Sequence, residues 1–176
     1  MRDGAVSGNS WELSDRDGGY LAARWWQWAL SAPADRSPVA DETGEHAAWK
    51  QPAEVWFLAG TYGGRVVRRC AVPSGRPLFF PVINTVHPMR VSKEPMTMEV
   101  VSAKAYLNGV PLELREFVSP PFWAKVQPLW ASLLRRRAWG LWAGLAPLAP
   151  GQYVLEIKAS TEGGFWVDTT YHLTVD

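Results

Sequence analysis

The sequence predicts a mainly β protein: an antiparallel β-sandwich or flattened barrel, with an N-terminal amphipathic helix packed on it and a short helical insertion. Three observations carry that expectation. Short apolar runs of strand length are bounded by Gly and Pro, as in Val55–Ala59 before Gly60 and Leu78–Ile83 between Pro77 and Asn84. Asn108-Gly109 joins two extended arms, a strong two-residue hairpin signal. Phe165–Val175 alternates cleanly, with Phe165, Val167, Thr169, Tyr171, Leu173 and Val175 on one face and Trp166, Asp168, Thr170, His172 and Thr174 on the other.

Taken in order, residues 1–17 are polar and rich in Gly and Asp, and read as a flexible arm that Trp11 and Leu13 tack to a single β-rich domain over 18–176. Gly18–Ser31 reads as a helix with Asp17 at its N-cap, an apolar stripe of Leu21, Trp25 and Trp28, and Pro33 beyond its end. Residues 34–51 form a long acidic loop. Residues 54–84 read as three strands in a meander. Arg65–Val72 puts Val66, Arg68, Cys70 and Val72 on one face and Arg65, Val67 and Arg69 on the other. Pro77 and Pro81 donate no ladder hydrogen bond, so they place the third strand at an edge, or mark its ends or a bulge. Thr85–Thr97 is expected to be a loop, and Met98–Leu114 the Asn-Gly hairpin. Arg115–Pro128 is read as irregular, and Leu129–Ala138 as a short helix whose Arg135–Arg137 triplet complements the dipole. Trp139–Leu148 leads to a turn at Ala149-Pro150-Gly151, and Tyr153–Ser160 pairs with Phe165–Val175 in a last hairpin.

Several blocks carry a resemblance: WWQWALS (Trp25–Ser31), VWFLAG (Val55–Gly60), CAVPSGRPLFFPVIN (Cys70–Asn84), LAPLAPGQY (Leu145–Tyr153) and DTTYHLTV (Asp168–Val175). They resemble a family of small bacterial proteins, usually secreted, of unknown function. The resemblance spans most of the chain and implies no activity. This chain differs from that pattern in lacking an apolar signal segment and in having fewer cysteines.

Composition narrows the field. The 176 residues suffice for one domain with a sizeable core. A net charge of +1 offers no global field for nucleic acid or membrane, so neither is expected as a partner. One cysteine, Cys70, excludes an intrachain disulfide and a Cys-rich zinc motif, and its alternating position reads as core. The N-terminus lacks the apolar region of a signal peptide, so the expected location is cytoplasmic, or secreted if a leader has been removed. The anomaly is eleven tryptophans. Each buries a large area but needs a partner for its N–H, which suits either a core of large rings or a ligand platform.

No nucleophile elbow, P-loop or zincin motif is present. Asp168 and His172 share a face but lie about 13 Å apart on an extended strand, too far for a dyad. Candidate acid–base residues are Glu45 in the acidic loop, His87 beyond the 78–83 strand, Asp168 and His172. Candidate ligand contacts are Trp25, Trp26, Trp56, Asn84, Trp123, Trp166 and Thr170. The leading expectation is a small-molecule or glycan-binding sandwich with a Trp-lined site and no metal or cofactor. The alternatives are a small cofactor-free enzyme, such as a cyclase, isomerase or hydrolase of an apolar metabolite, and a structural protein that forms a homo-oligomer.

Overall fold

The computed structural model describes residues 9–176, so the first part of the expected N-terminal arm lies outside the described residues. Helix α1 (Asp15–Ser31) is followed by strands β1 (Trp56–Phe57), β2 (Gly64–Val72), β3 (Leu78–Pro88), β4 (Val100–Leu107) and β5 (Val110–Pro111). Then come β6 (Arg115–Val118), β7 (Arg136–Leu145), β8 (Gly151–Thr161) and β9 (Trp166–Val175), with short 3-10 turns at Ala34–Arg36 and Leu129–Leu133. Among the described residues the chain is mainly β, with two mixed sheets, one α-helix and no closed barrel. One sheet has the order β1-β3-β7-β6 and the other β2-β9-β8-β4-β5.

Burial arranges these elements. Phe80 and Leu145 from the first sheet and Leu155 and Leu173 from the second belong to one apolar core. Helix α1 packs on β3, β6 and β7. There Trp25, Trp28, Phe57, Phe79, Phe117 and Trp142 build a second, aromatic cluster. The helix opens at Asp15 rather than Gly18, because Ser14 and not Asp17 is the cap: its Oγ accepts from the Asp17 N–H at 3.0 Å. Gly18 and Gly19 therefore sit inside the helix. They let it approach β6 so closely that a Cβ would lie 2.3 Å from the Phe117 ring or 2.5 Å from the Val118 carbonyl oxygen.

The pairing departs from an all-antiparallel sheet. β1 runs parallel to β3, and β2 runs parallel to β9. The expected meander over 54–84 is thus corrected: β1 and β3 pair with each other while β2 joins the second sheet. Gly63 and Gly64, at φ +121 and +87, begin that crossing with a backbone that favours glycine. β3 is not at an edge. It lies between β1 and β7, and its register shifts between Pro81 and Ile83, so the proline marks a bulge. β3 also runs on to Pro88, through the first four residues of the expected loop.

The largest correction is β7. The helix expected over 129–138 contracts to one 3-10 turn, and Arg136 and Arg137 begin a long strand at the centre of the first sheet. Residues 115–118, read as irregular, form β6 beside it. Both hairpin turns appear: Asn108 and Gly109 take φ 49 and 77 between β4 and β5, although β5 stops at Pro111, short of the expected Leu114, and β9 pairs with β8 from Trp166 to Val175. The resembling blocks fall on α1, β1, the end of β2 with β3, the β7–β8 turn and β9.

Candidate functional site

The outer face of β9 is built by strict alternation. Val167, Thr169, Tyr171, Leu173 and Val175 are buried, while Trp166, Asp168, Thr170 and His172 point away from the core. The neighbours of β9 complete the surface. Arg65, Asp168 and Lys158 lie in one row across β2, β9 and β8; Val67, Thr170 and Glu156 form the next; Arg69, His172 and Val154 the third. Arg65 Nε donates to Asp168 Oδ2 at 3.0 Å. A shallow depression of about 570 Å³ surrounds His172, with Arg69, Gln152, Val154 and Thr174 on its walls. Trp166 stands at one end of this face with half its surface exposed, at 49%.

Beneath the face lies a polar knot that fixes β2, β9 and the acidic loop together. Arg68 is 2% exposed. Its Nε donates to the Asp41 carbonyl at 2.6 Å, Nη2 to Val39 O at 3.0 Å, and Nη1 to Gly60 O at 2.9 Å and the Tyr171 hydroxyl at 2.8 Å. Tyr171 donates in turn to Ala59 O at 2.7 Å. Burial pushes the Tyr171 phenol up to about 12, against a smaller opposing pull from Arg68. The Asp41 side chain closes the loop on itself by accepting from the N–H groups of Thr43, Gly44 and His46. Burial alone would raise that carboxyl, but these donors and the Thr43 hydroxyl outweigh it and hold it below the usual carboxylate range. Thr43 O accepts from Arg69 N at 2.9 Å, so the acidic loop covers the edge strand β2.

The structure separates the residues proposed for acid–base work. Asp168 and His172 share the outer face of β9, and no carboxylate stands beside His172 in its row. Glu45 is on the acidic loop, 3.4 Å from His46 Nε2. His87 belongs to the other sheet, near the end of β3. It is 6% exposed, with Nε2 3.1 Å from Ser92 O. Its burial follows from the extension of β3 past the expected strand end. Among the described residues no group of three or more His, Cys, Asp or Glu side chains is gathered as for a metal ion.

The proposed aromatic contacts also divide. Trp25 is buried, its N–H donating to Leu58 O at 2.9 Å and its ring edge-on to Trp26 at 5.0 Å. Trp56 is buried between the sheets, with Arg76 over its ring. Both are core rings rather than a platform, because the apolar faces of α1 and β1 had to be covered by the first sheet and its partner. Trp26 is half-buried between the two smaller clusters. Asn84 lines, with Thr169, a cleft between the sheets of about 30 Å³, room for one water and not for a metabolite. Trp123 and Trp166 are exposed, and Trp123 carries Arg135 5.0 Å above its ring.

The sequence reading did not assign a role to Arg65, Arg68 and Arg69. The signal for Arg68 was present: an arginine on the otherwise apolar face of a strand needs partners. Cys70, next to it on the same face, is a structural thiol. Burial pushes it up to about 11, with Arg68 opposing. At pH 8 its thiolate is therefore scarcer by about two orders of magnitude than for a thiol at the ordinary value of 9, and its alkylation by iodoacetamide is expected to be slower by a similar factor than in the urea-unfolded chain. Equal rates in the two states would contradict this placement.

No protein-family model and no curated protein matches the chain. Among solved structures, it is similar to a chain of the complex of PbICP-C with falcipain-2, at 10% identity and a TM-score of 0.37 over 70% of this chain and 100% of that one. A likeness of that size bears on neither fold nor activity.

Proposed function

We propose that the two sheets form a β-sandwich that binds a glycan or similar polar small molecule along the outer face of β9. One observation carries the reading: a half-exposed Trp166 stands in line with Asp168, Thr170 and His172, on a strand flanked on both sides by hydrogen-bonding side chains. An exposed indole offers an apolar plate for a sugar ring, and the polar row fixes hydroxyls and register. From Trp166 to His172 the row runs about 20 Å, so it suits an extended ligand better than a compact one. Arg65, Arg69, Lys104 and Lys158 outnumber Asp168 and Glu156 on this face, and Arg65 already engages Asp168. A saccharide bearing carboxylate or sulfate groups fits that balance.

The test is a panel of neutral and acidic oligosaccharides titrated calorimetrically into the wild type and the Trp166→Ala/His172→Ala variant. Binding is expected for acidic members and lost in the double variant. Both side chains point outward, so stability should change by no more than about 1 kcal/mol. An acidic oligosaccharide that binds equally well without these two side chains, or a panel with no binder at all, would refute the assignment.

A further inference from the structure

The net charge of +1 conceals a strong local polarisation. At one end of the first sheet, beyond Pro88 of β3 and before Arg136 of β7, two loops lie side by side. Met89 N donates to Arg135 O at 2.8 Å, and Arg137 Nη1 donates to Lys93 O at 3.0 Å. Over 88–97 and 119–137 the chain places Arg90, Lys93, Lys125 and Arg135 on the surface, with Glu94 as the only acidic residue. Arg136 and Arg137 are committed to backbone carbonyls of the loops themselves.

The same loops expose large apolar side chains. Leu133 is 80% exposed, Leu129 and Trp130 60% each, and Trp123 55%; Val91 and Met96 stand out from the other loop. Side chains that free project from the surface rather than line a groove. The segment that bears them is nonetheless anchored. Phe122 and Ala124 pack with Ala23 and Ala138, Gln27 donates to Trp123 O at 2.9 Å, and Ser132 Oγ bonds both backbone groups of Val126. An ordered base thus presents Trp and Leu outward among cations.

We propose that this end of the molecule binds the surface of an anionic lipid bilayer, with Trp123, Leu129, Trp130 and Leu133 entering the headgroup–acyl boundary and Arg90, Lys93, Lys125 and Arg135 at headgroup level. The charge imbalance matches an anionic headgroup plane. Projecting leucines need no shaped partner in a fluid apolar layer, and an indole suits the interface because its ring is apolar and its N–H is polar. No helix among the described residues is long and apolar enough to cross a membrane, so the contact is interfacial. This departs from the expectation of no membrane partner. It does not depend on the face of β9.

The experiment is co-sedimentation of the protein with phosphatidylcholine vesicles with and without phosphatidylserine. It compares the wild type with Trp130→Ser/Leu133→Ser and Lys125→Glu/Arg135→Glu, each variant checked for native circular dichroism. Binding is expected only to the phosphatidylserine vesicles and should weaken with added salt. Either variant should lower the partition coefficient by about tenfold or more. No sedimentation with phosphatidylserine vesicles, or equal sedimentation with both vesicle types, would overturn the proposal. So would a wild-type dimer in analytical ultracentrifugation that Trp130→Ser/Leu133→Ser makes monomeric, since a second copy would then cover the patch. An intact lipid-independent monomer whose acidic protein partner is lost in both variants, without vesicle binding, would likewise replace the lipid by a protein.

Discussion

Arg68→Ala is expected to destabilise the protein by about 3–5 kcal/mol, a midpoint shift of roughly 10 °C for a chain this long. Arg68 is buried without a carboxylate beside it. Its guanidinium is instead saturated by the carbonyls of Val39, Asp41, Ala59 and Gly60 and by the Tyr171 hydroxyl. Removing it leaves buried acceptors from three separate segments unpartnered, each worth about 1–3 kcal/mol when left unmet. Lysine should not rescue the site, because one ammonium cannot span the fork that reaches Val39 and Gly60 together. Arg68→Lys should retain less than half of the lost stability. Urea unfolding followed by tryptophan fluorescence measures both. A cost below about 1 kcal/mol for Arg68→Ala would mean that the acidic loop is held by other contacts.

The knot explains why part of the molecule was readable before the structure and part was not. The alternation of β2 was visible, and it placed Arg68 on one face with Val66, Cys70 and Val72; the structure turns that face inward and buries Arg68. What the alternation could not convey is where the inward charge goes. Its acceptors are the carbonyls of Val39, Asp41, Ala59 and Gly60 and the hydroxyl of Tyr171, which stands on β9, parallel to β2 and about a hundred residues away in sequence. The same holds for the outer face of β9. The outward residues were legible from period two, but their flanking cations come from strand order, which no local pattern encodes.

β7 shows the opposite failure. RRAWGLWAGL has no period-two signal because it is buried on both faces, by α1 on one side and by the second sheet on the other. Its glycines mark close approaches: a Cβ on Gly140 would lie 2.7 Å from Asn84 Cβ and 2.7 Å from Trp142 Nε1. The tryptophan excess was ambiguous for a related reason. A ring on a helix stripe and a ring on a ligand platform have the same local sequence, and only the covering layer separates Trp25 from Trp166.

Trp142→Ala should therefore be the costliest of the tryptophan substitutions, at about 3–5 kcal/mol. The ring is fully buried. It stacks on Phe79 with centroids 4.9 Å apart and planes inclined by 11°, and it meets Trp25 of α1 edge-on at 5.6 Å. It thus joins the central strands β3 and β7 to the helix that covers them. Deleting it opens a cavity at the seam between helix and sheet, where Gly18 and Gly19 already hold the backbones so close that the helix cannot collapse inward to fill it. Trp142→Phe keeps the stacking partner for Phe79 and should cost roughly half as much. Trp166→Ala, on the open face of β9, should cost at most about 1 kcal/mol. Chemical unfolding of the three variants under one condition decides the matter. If Trp142→Ala and Trp166→Ala prove equally mild, the aromatic seam is not what holds α1 to the sheet, and the burden falls on the glycine contacts with β6.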